Sequence, residues 1–388
     1  MKKQLFLFFL LCLALSSCRT YYVGGNPARM LKNRQQADGL ALTACPDTAL
    51  NGLLYYLDFK NDYQLDKMLK ADVRGLGDFK TYVGTKILST GKVLANLKKL
   101  KTGCTAFVCQ SPSGDVLYAR NFDFTADGPA PVVMARTSPN DGYKSVSLIS
   151  MSLLKYPKGS LSDGTTDVSL LAAAPYLLMD GMNERGLAVS VLYLDPSDTT
   201  TGVWYGGTEQ YDRHKHDIMT TTAMRFVLDR AANVDEAITL LQQYNMFANG
   251  RKPPYSYHFL LGDRTGKSIV LEYVPQNGEW LMDTINVGLV TNFYLADSLW
   301  GIGHGHERFE TARDYLQEKL WILTEEEAMS VLQNVSQEPT ARKTSNTQWS
   351  VVYNLTKGTY RLCVGRKYDT VVDEIPVSLT PTSSAIPR

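Results

Sequence analysis

The hydrophobic period of the chain changes at Thr105, and no other feature restricts its fold as strongly. Before that point apolar residues recur at helical spacing: Leu53, Leu54 and Leu57, then Leu65, Met68 and Leu69, then Ile87, Val93, Leu94, Leu97 and Leu100. The pattern predicts helices between Asp47 and Lys101, with Lys92, Lys98, Lys99 and Lys101 on a solvated basic face. From Thr105 the period is two. Thr105–Gln110 and Val116–Phe124 read as strands, joined by the turn Ser111-Pro112-Ser113-Gly114. Strand-like runs follow at Val146–Ser150, Leu187–Leu194, Ser256–Leu261, Ser268–Tyr273, Gly288–Thr291, Val351–Asn354 and Thr359–Val364. Helical stretches lie between them: Thr220–Arg230, one capped by Asn233, Glu307–Leu320, and one opened by the capping box Thr324-Glu325-Glu326-Glu327. Strands and helices come in groups rather than in strict alternation. That favours an α+β layered domain over a parallel sheet.

The first residues read differently. Lys2 and Lys3 precede an apolar run from Leu5 to Leu15, followed by Ser16, Ser17 and Cys18, the layout of an export signal. The run is too short for a stable membrane span. Leu15-Ser16-Ser17-Cys18 resembles a bacterial lipobox, which implies lipidation at Cys18 and an outer-membrane, periplasmic or cell-surface location. Residues 1–17 are then the signal, 18–103 a polar tether followed by a helical pro-segment, and 104–388 the catalytic domain.

Lys+Arg number 40 against Asp+Glu 39, so the chain lacks the basic excess of a nucleic-acid binder. Of six cysteines, Cys12 lies in the apolar run and Cys18 at its end, leaving Cys45, Cys104, Cys109 and Cys363 with no CxxC pair. A thiolate zinc site is not expected. A Cys45–Cys363 bridge stays open, with buried free thiols the simpler reading. His214-Lys215-His216 and His304-Gly305-His306 have no acidic or Cys partner at metal spacing, and read as loop histidines.

The chemistry concentrates in Gly103-Cys104-Thr105-Ala106-Phe107-Val108 and Tyr118-Ala119-Arg120-Asn121-Phe122-Asp123-Phe124. A Cys heading a strand that returns through a hairpin to Arg and Asp resembles the linear amide C–N hydrolases: choloylglycine hydrolases, penicillin V acylases, N-acylethanolamine acid amidase and acid ceramidase. Asp180-Gly181-Met182-Asn183-Glu184-Arg185-Gly186-Leu187-Ala188 is similar to that family's turn beside the active site. The run Leu261–Glu272 is similar to another of its hairpins, followed by Leu289-Val290-Thr291-Asn292. Glu307-Arg308-Phe309 opens a helix where the family carries its second active-site arginine. The resemblance runs in order from Gly103 to about Val364.

It implies a four-layer αββα N-terminal-nucleophile sandwich in which Cys104 is freed by cleavage after Gly103. A freed α-amine, with a pKa of about 7.7–8.0, could then take the thiol proton, which no neighbouring His can do. Gly103 lets the thiol approach its carbonyl for an N-to-S acyl shift. Arg120 would lower the thiol pKa, and Asp123 would orient the new ammonium. Three residues apart on a strand, the two point to opposite faces unless the strand bends, bulges or ends near Phe122. The resemblance further implies that the Asn292 amide and the Tyr193 backbone hold the oxyanion, with Arg308 beside them and no metal or cofactor.

Tyr193 stands where bile salt hydrolases usually carry asparagine, as in penicillin V acylases, and the long leader is similar to the self-cutting amidase, ceramidase and acyltransferase branch. The implied substrates are N-acylated small molecules: bile acid conjugates, N-acylethanolamines or N-acyl amino acids, and penicillin V-like amides. An acyltransferase, or a dead ligand-binding lipoprotein on the same scaffold, is the alternative. The membrane is met through the lipid anchor, and a homo-oligomer stays open.

Overall fold

The computed structural model describes residues 20–22, 40–59, 62–88, 103–125, 130–198, 200–248, 255–340 and 345–374. The export signal with Cys18, and the lysine-rich end of the leader from residue 89 to 102, lie outside them.

The strands, in chain order, begin with β1 (Thr20–Tyr22), β2 (Leu40–Ala44), β3 (Leu54–Phe59), β4 (Cys104–Gln110), β5 (Val116–Thr125), β6 (Val132–Thr137) and β7 (Ser145–Ser150). Next come β8 (Asp180–Asn183), β9 (Leu187–Leu194), β10 (His216–Met219), β11 (Tyr244–Phe247), β12 (Ser256–Asp263), β13 (Ser268–Gln276) and β14 (Glu279–Ile285). The series ends with β15 (Leu289–Val290), β16 (Asn292–Phe293), β17 (Gly303–His304), β18 (Ser345–Asn354), β19 (Thr359–Val364) and β20 (Val371–Glu374).

They build two large sheets, one ordered β1-β2-β3-β6-β7-β8-β9-β12-β13-β14 and one ordered β15-β4-β5-β18-β19-β20. The sheets face each other across a core that takes Ala106, Val108, Tyr118, Phe122 and Trp349 from the smaller and Ala188, Leu192 and Leu260 from the larger. Helices Thr220–Arg230 and Val234–Leu241 cover the outer face of the larger sheet. His306–Glu318 and Glu325–Asn334 cover the smaller, over Phe107, Cys109, Leu117 and Ala119. The order of layers is αββα. Both helix caps read from the sequence are in place: Asn233 accepts from Glu236 N–H, and Thr324 and Glu327 form a reciprocal capping box.

The leader departs from its predicted form. Leu54–Phe59 is strand β3, not helix, and it runs parallel to β6 from Leu54 opposite Val132 to Phe59 opposite Thr137. The tether, too, contributes β2, antiparallel to β3. The physical reason is that Leu54-Tyr55-Tyr56-Leu57-Asp58-Phe59 is aromatic, nearly continuous in apolar character and buried on both sides, as an interior strand demands. Helical spacing over so short a run was coincidental. The helices that do form, Leu65–Leu69 and Leu76–Tyr82, are short.

Beyond β3 the leader is bolted to the body by a buried polar knot. The Tyr63 hydroxyl donates to Asp229, Arg225 Nη2 sits 2.7 Å from the other oxygen of that carboxylate, and the Tyr176 hydroxyl donates to the Tyr63 carbonyl. Burial holds the Tyr63 phenol well above its ordinary range, so it stays a donor. Cys104, Cys109 and Cys363 are buried free thiols, so the Cys45–Cys363 bridge is not formed. Among the described residues no helix is long and apolar enough to cross a membrane.

If β3 belongs to the same cooperative core as the sheets behind it, Leu57→Ala should destabilise the whole protein by about 2–5 kcal/mol. Urea unfolding followed by tryptophan fluorescence would measure it. An unchanged midpoint would mean that the leader folds apart from the body.

Candidate active site

Cys104 is the first residue of β4, and Gly103 leads into it. β4 pairs antiparallel with β5, with Cys104 opposite Phe122 and Ala106 opposite Arg120. These four side chains share the face toward the larger sheet, while Asp123, by alternation, turns to the helix side. β5 runs unbroken through Asp123 in one register with β4, so of the bend, bulge or end expected near Phe122 neither a bulge nor an end lies in β5. Both residues nonetheless reach the Gly103–Cys104 junction, because a strand end is open to both faces. Arg120 Nη2 lies 3.4 Å from Cys104 Sγ, and the Asp123 N–H donates to the Gly103 carbonyl at 2.8 Å.

The irregularity sits instead in the neighbouring strand β18, whose register against β5 slips between Thr347 and Trp349. Gln348 is the extra residue, a β-bulge. On one side of it the Thr347 hydroxyl donates to Asp123 Oδ1 at 2.5 Å. On the other, Trp349 stacks on Phe122 with centroids 4.4 Å apart and donates from Nε1 to Asp180 Oδ2 at 2.9 Å.

Arg120 is fully buried and fixed on several sides. Its Nη1 donates to Asp180 Oδ2 at 2.6 Å and to the Met179 carbonyl, and its Nη2 donates to the Val191 carbonyl at 2.8 Å. The second oxygen of Asp180 accepts from the Tyr353 hydroxyl at 2.7 Å. Asp180 was legible only as the head of a turn. A carboxylate at the start of a buried hairpin was the available signal.

Asn292 and Arg308 close the site from the far end of the chain. Asn292 Oδ1 accepts from the Cys104 N–H at 2.6 Å and from Arg308 Nη2 at 2.8 Å. Its Nδ2 donates to the Tyr193 carbonyl at 2.8 Å. One of the two amide hydrogens expected to serve an oxyanion is therefore engaged with Tyr193, which leaves the other. Arg308 Nη1 donates to the Cys104 carbonyl and to Thr105 Oγ1, and stands 3.9 Å from Asp123 Oδ2. Behind Asn292, His258 Nε2 donates to the Thr291 carbonyl at 2.8 Å and Nδ1 meets Glu272 at 2.9 Å. Glu272 accepts from the N–H groups of Leu295 and Ala296, pinning the segment that carries Asn292. The Tyr193 ring meets Tyr255 and Tyr257 edge-on at 5.3 and 6.0 Å, an aromatic cluster on the residue whose carbonyl holds Asn292.

Arg120 acts on the Cys104 thiol in the expected direction, but burial outweighs it. Burial raises the Cys104 thiol above its ordinary range, and the Arg120 charge recovers only part of that. At 1% exposure the lost hydration of a thiolate outweighs a guanidinium whose charge is already shared with Asp180. Burial also raises Asp123, against the pull of Arg308 and the hydrogen bonds from Thr347 and Gln337. Cys109 and Cys363 are pushed up to about 12 by burial, with no arginine side chain bonded to either sulfur. Among the described residues no group of three His, Cys, Asp or Glu side chains is placed to hold a metal ion. His216 pairs with Asp72, and His306 stacks on Phe293.

Residues 104–293 match the family described as linear amide C-N hydrolases, choloylglycine hydrolase family. Over 100 residues the chain is 34% identical to the penicillin V acylase of Pectobacterium atrosepticum, covering 24% of this chain and 25% of that protein. A variant of the conjugated bile acid hydrolase from Clostridium perfringens aligns at 18% identity and a TM-score of 0.47, over 70% of this chain and 92% of its own. The penicillin V acylase from Agrobacterium tumefaciens aligns at 22% identity and a TM-score of 0.46, over 73% and 90%. The chain spans between 25% and 39% of the length of the curated relatives it matches.

Removing one partner of a buried pair leaves the other charge uncompensated. Asp180→Ala should therefore cost about 3–5 kcal/mol of stability in equilibrium urea unfolding. A loss below about 1 kcal/mol would show that the carbonyls of Met179 and Val191 hold Arg120 unaided.

Proposed function

Because residues 104–293 belong to the linear amide C-N hydrolases of the choloylglycine hydrolase family, we propose that this protein cuts its own Gly103–Cys104 bond and then hydrolyses N-acylated small molecules. In the first step Cys104 Sγ adds to the Gly103 carbonyl carbon and the C–N bond breaks. The nitrogen takes a proton, and water opens the thioester to leave a Gly103 carboxylate, a free thiol and a free α-amine. In turnover that amine accepts the thiol proton. The thiolate adds to the substrate carbonyl, the Cys104 ammonium gives its proton to the substrate nitrogen as the substrate C–N bond breaks and the amine product departs, and water hydrolyses the acyl thioester to release the acid and restore the thiol.

The observation that carries this reading is the treatment of one residue's three reactive groups. Cys104 Sγ lies 3.4 Å from a guanidinium, its N–H is 2.6 Å from Asn292 Oδ1, and its carbonyl accepts from Arg308. A core cysteine needs none of these. The raised thiol pKa of the uncut chain fits the scheme as well, since the proton acceptor is created only by the cut. The remaining amide hydrogen of Asn292 and the Tyr193 N–H are assigned to the oxyanion.

Substrate preference follows the cluster formed by Tyr193, Tyr255 and Tyr257, which suits an apolar acyl group, fatty or steroidal. Export with a lipid anchor at Cys18 would bring such amphiphiles to the site. The leader, joined to the sheet through β3, is taken to remain bound after the cut.

Intact-mass measurement of wild type beside Cys104→Ala tests the first step. Wild type should give two masses that break between Gly103 and Cys104, and the variant a single uncut chain. A wild type that stays whole would sink self-activation. In cut protein, Asn292→Ala should lower kcat on an acyl-amide substrate by about a hundredfold or more, and unchanged turnover would remove Asn292 from the oxyanion site.

A further inference from the structure

Gln337 lies just beyond the helix Glu325–Asn334, and neither its type nor its surroundings in the sequence mark it. Its side-chain amide donates from Nε2 to Asp123 Oδ2 at 2.6 Å, while Thr347 holds Oδ1. The two holders are tied to each other. The Gln337 N–H donates to Thr347 Oγ1 at 2.7 Å, and the Thr347 N–H donates back to the Gln337 carbonyl at 2.9 Å. Asp123 is thus gripped by a closed clamp from two elements, and its own N–H is spent on the Gly103 carbonyl.

The same clamp occupies the space beside Gly103. A Cβ on residue 103 would overlap Gln337 Nε2, stand 3.0 Å from Gln337 Cδ and lie 3.3 Å from Asp123 Oδ2. Gln337 cannot swing aside without releasing the carboxylate. Glycine at 103 is therefore demanded by the amide that positions Asp123.

We propose that Gln337 is a positioning residue for self-cleavage, aiming the Asp123 carboxylate at the Gly103–Cys104 bond and thereby restricting residue 103 to glycine. Gln337 touches none of the reacting atoms and acts through Asp123. There the carboxylate meets the amine as it forms and keeps it from recapturing the acyl group. This inference rests on the self-cutting reading above and adds a residue to it.

The test follows cleavage over time by intact mass in Gln337→Ala, Gln337→Met, Gly103→Ala and the two double variants, with a thermal melt of each. Gln337→Met keeps the bulk and loses the donor, and it should slow cleavage about tenfold or more, as loss of a hydrogen bond to a charged group does. Gly103→Ala should cut more slowly still. Gly103→Ala/Gln337→Ala should regain about tenfold over Gly103→Ala alone, whereas Gly103→Ala/Gln337→Met should regain nothing. A purely structural glutamine would give additive losses with no recovery. The proposal is overturned if Gln337→Met cuts at the wild-type rate, a result that stands even if Gln337→Ala fails to fold. It is equally overturned if the Ala/Ala double variant cuts no faster than Gly103→Ala. An uncut wild type would instead remove the self-cutting reading itself.

Discussion

The buried pair between Arg120 and Asp180 is the contact on which the site depends. Arg120 stands on β5 of the smaller sheet and Asp180 on β8 of the larger, so the pair joins the two layers across the core. Desolvating both charges is expensive, and such a pair is tolerable only when its remaining hydrogen-bonding capacity is used. Here Tyr353 and Trp349 share the carboxylate, and the carbonyls of Met179 and Val191 share the guanidinium. Nε finds no partner among the described residues, and Nη2 reaches Cys104 Sγ as well as the Val191 carbonyl. The arginine is therefore aimed by its other contacts, and its reach to the sulfur is a by-product of how the sheets are joined.

Cys104, Arg120, Asp123, Asn292 and Arg308 were legible in the sequence because each lies in a local motif that resembles the family's: the head of a strand, a hairpin return, the end of a strand, the first turn of a helix. All five converge, across up to 204 positions between Cys104 and Arg308. The alternation rule also held for Arg120 and Asp123, with the bulge in the paired strand β18 rather than in β5. Strand ends are exposed on both faces, and that exception is geometric rather than compositional.

The residues that hold those five were not legible. Asp180, Gln337, Thr347 and the His258–Glu272 pair acquire meaning only through partners far along the chain. Nothing in a window of ten residues separates Gln337 from a solvated glutamine. Strand β3 was missed for a different reason: six residues are too few for periodicity to separate strand from helix, and what decides is pairing with β6. The direction of the Asn292 amide was equally hidden, because it follows from the position of a backbone carbonyl on β9.

The extra residue in β18 carries a consequence of its own. Residues two apart in a strand ordinarily look the same way, yet Thr347 faces Asp123 on the helix side and Trp349 faces Asp180 between the sheets. Gln348 reverses the parity of the strand, and so lets one strand serve both carboxylates. Chain length at this point, and not only side-chain identity, is thus a component of the site. A lineage that lost one residue here would keep every residue of the five and still turn Thr347 away from Asp123. No substitution at a neighbouring position restores that parity; only an insertion can.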